Sequence, residues 1–186
     1  MIFSRWSSGD VGIAEVDLAA CGTGVTIGHN VTITNPEKVR LGNNVRIDPN
    51  VYISGELSTG DNVQICTGAI LGGTAGIQLG SWTFIGYGSK LFTASESYDH
   101  LVNEHWGADH VDARPIIFED FAGIASDVLV MPGVTLQEGC RIGSRSFVYR
   151  SPEHPWAIYA GQPLTLIRHI NAKAIRAEVE RIAGDA

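Results

Sequence analysis

Apolar residues return at every sixth position along most of the chain. The series runs Cys21, Ile27, Ile33, Leu41, Ile47, Ile53, Thr59, Ile65, Leu71, Leu79, Ile85, Leu91, Phe118, Ile124, Val130, Leu136, Ile142 and Val148, with Thr59 its one polar member. Glycine often follows these guide residues, as in Ile27-Gly28, Leu41-Gly42, Ile85-Gly86 and Ile142-Gly143, and is expected to relieve the corners of the coil. Four residues after a guide comes a small or β-branched residue: Val31, Val45, Val51, Val63, Ala69, Ala75, Ala122, Val128, Val134, Cys140, Ser146. A period of six fits neither an amphipathic helix, with a period near 3.6, nor a strand, with a period of 2. It is the signature of hexapeptide repeats wound into a parallel β-helix. Three hexads close one triangular turn of roughly 18 residues, so this series predicts an all-β solenoid of about six coils.

Breaks in the register carry as much information as the register. The steps Ile33 to Leu41 and Leu71 to Leu79 are eight residues, and the step Leu91 to Phe118 is twenty-seven. Counted in hexads from Ile27, the three insertions are separated by multiples of three. All three are therefore predicted on one edge of the prism. An edge with two small bulges and one long excursion is the natural place for function, because long loops in compact domains are usually functional.

The rest of the chain organises around this core as a single domain, residues 1–186. Residues 1–20 are a lead-in, with a short helix expected around Glu15 to Ala20. Segments 21–95 and 115–150 form the solenoid, and 96–114 the long loop. Residues 151–186 are a Pro/Gly-punctuated segment followed by a closing helix over 171–183. Asn171 is its N-cap, Gly184 its stop, and Ile175, Val179 and Ile182 line one face. Such a helix could cover an open end of the prism, whose strands are otherwise exposed edges.

Composition narrows the partners. The 186 residues carry a net charge of −7, 44% hydrophobic and 18% charged residues, and no basic run, which argues against nucleic acid as main partner. No stretch reaches the roughly 18 apolar residues of a membrane span. Met1 to Asp10 lacks the apolar core of a secretory signal, so a cytoplasmic location is expected. Cys21, Cys66 and Cys140 are odd in number and far apart, which fits packed thiols better than disulfides or metal ligands.

Three stretches resemble the hexapeptide-repeat acyltransferases, whose fold is a left-handed parallel β-helix: Leu41 to Gly55, Pro115 to Val148, and Pro155 to Arg168. Most specific is Met131-Pro-Gly-Val-Thr135 followed by Tyr159-Ala-Gly-Gln-Pro163. The chain is most similar to the small sugar and nucleotide-sugar acetyltransferases of surface-polysaccharide biosynthesis. That resemblance implies acetyl-CoA as acyl donor, a sugar or nucleotide-sugar acceptor, and a homotrimer whose sites are shared between neighbouring subunits. The chemistry requires a group to take the acceptor's proton, donors for the tetrahedral oxyanion, and a groove with cations for the cofactor.

Residue by residue, the resemblance implies the following. The family's usual histidine base follows a Thr-Ala-Ser-like triplet at the start of the long loop. Here Thr93-Ala94-Ser95 is followed by Glu96, a departure, with His100 four residues on. Glu96 and His100 are the candidate bases. Ala125, Ser126 and Ser144 are the candidates to line the pantetheine groove, and Arg150 and Arg168 to meet the nucleotide phosphates. Trp106 could stack on a sugar or an adenine, or anchor the loop. Two other readings stand beside this one. A metal-dependent hydratase resembling the γ-class carbonic anhydrases would use His105, His110, Asp109 and Asp112, but the coils offer only His29 as a further histidine, and no metal is expected. A non-catalytic scaffold would explain Glu96 in the histidine's place.

Overall fold

A computed structural model describes residues 17–96 and 111–184. Its strands are short, mostly two to four residues, and stack in parallel from coil to coil. The strand pairings define three faces. The first face aligns Ile27, Ile47, Ile65, Ile85, Ile124, Ile142 and Tyr159. The second aligns Ile33, Ile53, Leu71, Leu91, Val130 and Val148. The third aligns Cys21, Leu41, Thr59, Leu79, Phe118 and Leu136, in the order that three hexads per coil requires. All three insertions leave after a second-face guide and return before a third-face guide, so they share one edge.

The core is one continuous column. Ile47, Ile65, Ile85, Leu71, Leu91, Phe118 and Leu136 are all at most 2% exposed, and so are the inward residues between them, Val45, Val63, Ala122, Val134 and Cys140. Each coil buries its apolar residues only against its neighbours, so stability accumulates coil by coil.

Thr59 is polar because its position does different work. The residue two before it, Leu57, fills the core at 0% exposure, and the Thr59 hydroxyl accepts a hydrogen bond from the Gly42 N–H at 3.1 Å. The same offset corrects one expectation: Ala75 does not point inward. It lies on the eight-residue bulge, and Ile77, buried and paired with Leu57 and Ile116, takes the core position.

The glycines after the guides serve the corners by leaving out a side chain, as expected, and not through their backbone angle. Gly86 is needed for space and not for its backbone angle: a Cβ there would sit 2.3 Å from the carbonyl carbon of Ala125 in the next coil. The left-handed corner positions fall largely to other residues, Asn44, Asn62, Trp82, Phe121 and Trp156 along one edge. Aromatic side chains are unusual in this conformation. Here Phe121 and Trp156 stack with ring centroids 5.6 Å apart, and Gly139 between them leaves room for the indole.

At the N-terminal end, residues 17–20 are not helical, contrary to expectation. Ala20–Cys21 is a strand pairing with Arg40 and Leu41, because Cys21 belongs to the repeat. At the other end, Ala157–Ala160 continues the first face. Thr165–His169 then folds back antiparallel to it, an element the punctuated sequence did not reveal. The helix Ala172–Gly184 follows. The Asn171 side chain accepts the Ala174 N–H at 3.2 Å, as an N-cap should. Arg176 ties the helix to the last coils, 2.6 Å from the Glu138 carboxylate and over the Trp156 ring at 5.5 Å. No helix among the described residues is long and apolar enough to cross a membrane.

All three cysteines are free. Burial pushes the Cys140 thiol up to about 12. Burial, with the Asp48 carboxylate next in weight, does the same to Cys66, while Cys21 is exposed. A thiol reagent at neutral pH is expected to titrate Cys21 alone in the native chain and all three after denaturation, because the thiolate is the reactive form. Rapid native reaction of Cys140 would contradict its packing.

Candidate active site

The long insertion leaves the prism through a two-stranded neck. Ala94–Glu96 runs antiparallel to Val111–Ala113, pairing Ala94 with Ala113, Ser95 with Asp112, and Glu96 with Val111. Thr93 pins the neck to the coil below. Its buried hydroxyl donates to the Gly72 carbonyl at 2.8 Å and accepts the Ala75 N–H at 2.9 Å. Its carbonyl accepts the Arg114 N–H at 2.9 Å as the chain returns. Bulge and loop are thus joined into one edge by hydrogen bonds that a buried threonine can satisfy on both sides.

Two carboxylates stand in the neck. Asp112 is bound by the Arg114 fork, Nε at 2.7 Å and Nη2 at 2.6 Å, and that guanidinium holds its carboxyl below the ordinary carboxylate value. Glu96 is exposed, and its carboxylate has no hydrogen-bond or ion-pair partner among the described residues. Of the two, Glu96 is the one free to accept a proton from an acceptor. His100 lies outside the described residues, as do His105, Trp106, Asp109 and His110.

The remaining candidates divide between places. Arg150 follows Val148 on the loop edge, exposed, with its guanidinium 4.9 Å from the Tyr149 ring centroid and Nη2 donating to the Tyr149 hydroxyl at 2.6 Å. Ala125, Ser126 and Ser144 follow first-face guides, so they lie on the edge between the first and second faces. There the Ala125 carbonyl accepts the Ser89 hydroxyl at 2.9 Å, the Ser126 carbonyl accepts the Arg145 N–H at 3.0 Å, and Ser144 is exposed. Arg168 lies on the antiparallel strand, opposite Ile158 and exposed. One chain therefore does not bring Glu96 and Arg150 together with Ala125, Ser126 and Ser144.

The structure adds features that sequence reasoning missed. A cavity of about 390 Å³ opens at the C-terminal end of the loop edge, lined by Tyr149, Arg150, Ser151, His154, Tyr159 and Leu166 among others. Its wall is held by the His154 N–H donating to the Tyr159 hydroxyl at 3.0 Å. The Asp112–Arg114 pair was also missed as a unit. The signal available was an arginine placed where the loop rejoins the repeat, just before Pro115. Among the described residues, no three His, Cys, Asp or Glu side chains come together as a metal site would require.

Comparison with known proteins gives this geometry a context. No family model matches the chain. WcaF of Escherichia coli K12, assigned as a colanic acid biosynthesis acetyltransferase, is 29% identical over 153 residues, 81% of this chain and 69% of WcaF. AntD, an N-acyltransferase of Bacillus cereus, was crystallised as a single-residue variant with dTDP-4-amino-4,6-dideoxyglucose and coenzyme A. It superposes with a TM-score of 0.83 at 26% identity, covering 91% of this chain and 92% of AntD. AntD with dTDP and 3-hydroxybutyryl-CoA gives 0.82 over the same coverage. A hexapeptide-repeat acetyltransferase of Vibrio cholerae complexed with acetyl-CoA shares the fold, at 21% identity and a TM-score of 0.56. By repeat, fold and sequence together, the chain is a hexapeptide-repeat β-solenoid homologous to the acetyltransferases and N-acyltransferases of this kind.

Proposed function

We propose that the chain is an acetyl-CoA-dependent acetyltransferase that moves an acetyl group to an amine or hydroxyl of a nucleotide-linked sugar, in surface-polysaccharide biosynthesis. One observation carries this reading. The solenoid matches AntD over nine-tenths of both chains, AntD was crystallised with a nucleotide-linked amino sugar and coenzyme A, and the present chain gathers its insertions on a single edge. WcaF, the relative by sequence, supports the sugar pathway and the acetyl group.

In this reading Glu96 accepts the proton as the acceptor nitrogen or oxygen attacks the thioester carbon, with His100 the second candidate base. The new C–N or C–O bond forms, the C–S bond breaks, and the coenzyme A thiolate leaves and takes up a proton. Arg150 and Arg168 meet phosphates, and Ala125, Ser126 and Ser144 line the pantetheine arm. The cavity beside Arg150 offers room for part of a nucleotide.

In this reading the two edges come together across a boundary between chains. That geometry supports an assembly in which each site takes the loop edge from one subunit and the first–second edge from its neighbour; a homotrimer is the assembly we propose. Of the six outward residues that precede the second-face guides, Tyr52, Ile70, Leu129 and Phe147 are apolar or aromatic and suit burial between copies, while Thr32 and Lys90 are polar. We place the protein in the cytoplasm, where acetyl-CoA and nucleotide sugars are available, working as one domain.

The test is a transfer assay with free-thiol detection, using acetyl-CoA and dTDP-4-amino-4,6-dideoxyglucose first and other nucleotide-linked sugars next. Acceptor-dependent thiol release with an acetylated product supports the reading. Failure of the chain to bind acetyl-CoA by calorimetry at millimolar concentration would sink it.

A further inference from the structure

We infer that Arg114 is a diphosphate-binding residue of the loop edge that Arg150 also occupies; the inference rests on the transfer reading above. Arg114 is held before any ligand arrives. Its backbone N–H is bonded to Thr93 at 2.9 Å, and Nε and Nη2 are taken by Asp112. The planar fork is therefore oriented, and Nη1 is left with no acceptor among the described residues. An arginine whose orientation is set by a carboxylate loses less side-chain entropy when it binds than one free in solvent.

The space over which Nη1 lies is also shaped. Gly133, in the turn of the next coil, has φ +81, and a Cβ there would sit 2.7 Å from Nη1 and 2.9 Å from Cζ. Only glycine lets the guanidinium rest on that turn, so the fork lies across the level of the coil that Met131 to Gly133 begins. Arg150 lies on the same edge one coil beyond Gly133, so the backbones of Arg114 and Arg150 are two coils apart, a rise of about 9.6 Å. Two guanidinium groups on one edge suit an anion with more than one phosphate better than a single carboxylate or a neutral sugar. Asp112 offsets part of the charge, so Arg114 acts through a directed hydrogen bond more than through a long-range field.

A diphosphate reaches this edge from two sources under the transfer reading: coenzyme A and the nucleotide of the acceptor. The experiment separates them by calorimetric titration of the full chain with coenzyme A and, separately, with dTDP. Wild type, Arg114→Ala, Arg114→Lys and Gly133→Ala are compared, and thermal melting monitors the fold. We expect Arg114→Ala to weaken one of the two nucleotides by roughly tenfold or more, which assigns the source. Arg114→Lys should recover little, because an ammonium cannot form the fork. Gly133→Ala should weaken the same nucleotide although the positive charge remains. Affinities of Arg114→Ala within about twofold of wild type for both nucleotides overturn the inference and leave the transfer reading standing. So does an equal loss for both that tracks a lowered melting temperature. A wild-type chain that binds neither nucleotide overturns the transfer reading itself.

Discussion

Glu96→Gln is expected to lower kcat by about 10²–10⁴-fold, with little change in KM for acetyl-CoA and no change in melting temperature. The magnitude is that of removing a positioned general base. The pattern follows from where Glu96 sits. It is exposed on the first strand of the neck, so glutamine keeps the backbone pairing with Val111 and removes only the proton acceptor. Asp112→Asn is the informative companion. Asp112 is bound on both sides of its carboxylate by Arg114, so its loss disturbs a surface pair, and pairs of that kind contribute about 0–1 kcal/mol. The glutamine variant should be much the slower of the two. Equal rates for Glu96→Gln and wild type would remove the base assignment. With an amine acceptor that reaches the site already unprotonated, the effect should sit at the low end of the range, and with a hydroxyl at the high end.

Phe118→Ala should destabilise the fold by about 3–5 kcal/mol, a large share of the roughly 5–15 kcal/mol that holds a domain together. Phe118 is 1% exposed and is among the largest fully buried side chains. It closes the twenty-seven-residue step, and its neighbours along the third face are Leu79 below and Leu136 above. Coils contact only their neighbours, so a cavity here weakens the junction between the first four coils and the last two. The melting temperature should fall on the order of 10 °C. Thr59→Val, at the corresponding position two coils earlier, tests the opposite exchange. It gains an apolar methyl but leaves the Gly42 N–H without the acceptor it has at 3.1 Å, so it should not stabilise. A loss below about 1 kcal/mol for Phe118→Ala, measured by denaturant unfolding, would contradict the packing described for this column.

Much of the fold was legible because each inward side chain must land on another one coil later. Ile47 on Ile65 on Ile85 is a physical constraint that writes itself into the sequence at a fixed interval. The insertion arithmetic was legible for the same reason, since adding residues to a closed triangle leaves an edge count intact. Features off that column were not. Ala75 matched the spacing but lies on a bulge, because Ile77 competes for the same inward site and is larger. Trp82, Phe121 and Trp156 stand in left-handed corners where asparagine serves in earlier coils. What makes Phe121 and Trp156 tolerable is stacking between coils, together with the space left by Gly139.

The site was legible in part. The loop announced itself by length, and Glu96 and Arg150 do share its edge. Arg114 was hidden because its role depends on a fork to Asp112 and a shelf at Gly133, nineteen residues away in sequence and adjacent only in space. Ala125, Ser126 and Ser144 came from family likeness. The structure puts them on a different edge, and under the proposed function that separation calls for a second chain.

Subunit complementation tests that separation directly. Chains carrying Glu96→Gln lack a working loop edge. Chains carrying Ser144→Trp, at an exposed position, have an obstructed first–second edge. Each variant alone should be inactive. Unfolded and refolded together in equal amounts, they should regain about a quarter of wild-type activity, because random assembly joins a sound loop edge to a sound neighbouring edge in one site out of four for any cyclic oligomer with sites of this kind. Mixed oligomers that form and stay inactive would show that a single chain supplies the whole site, and the shared-site account would be wrong.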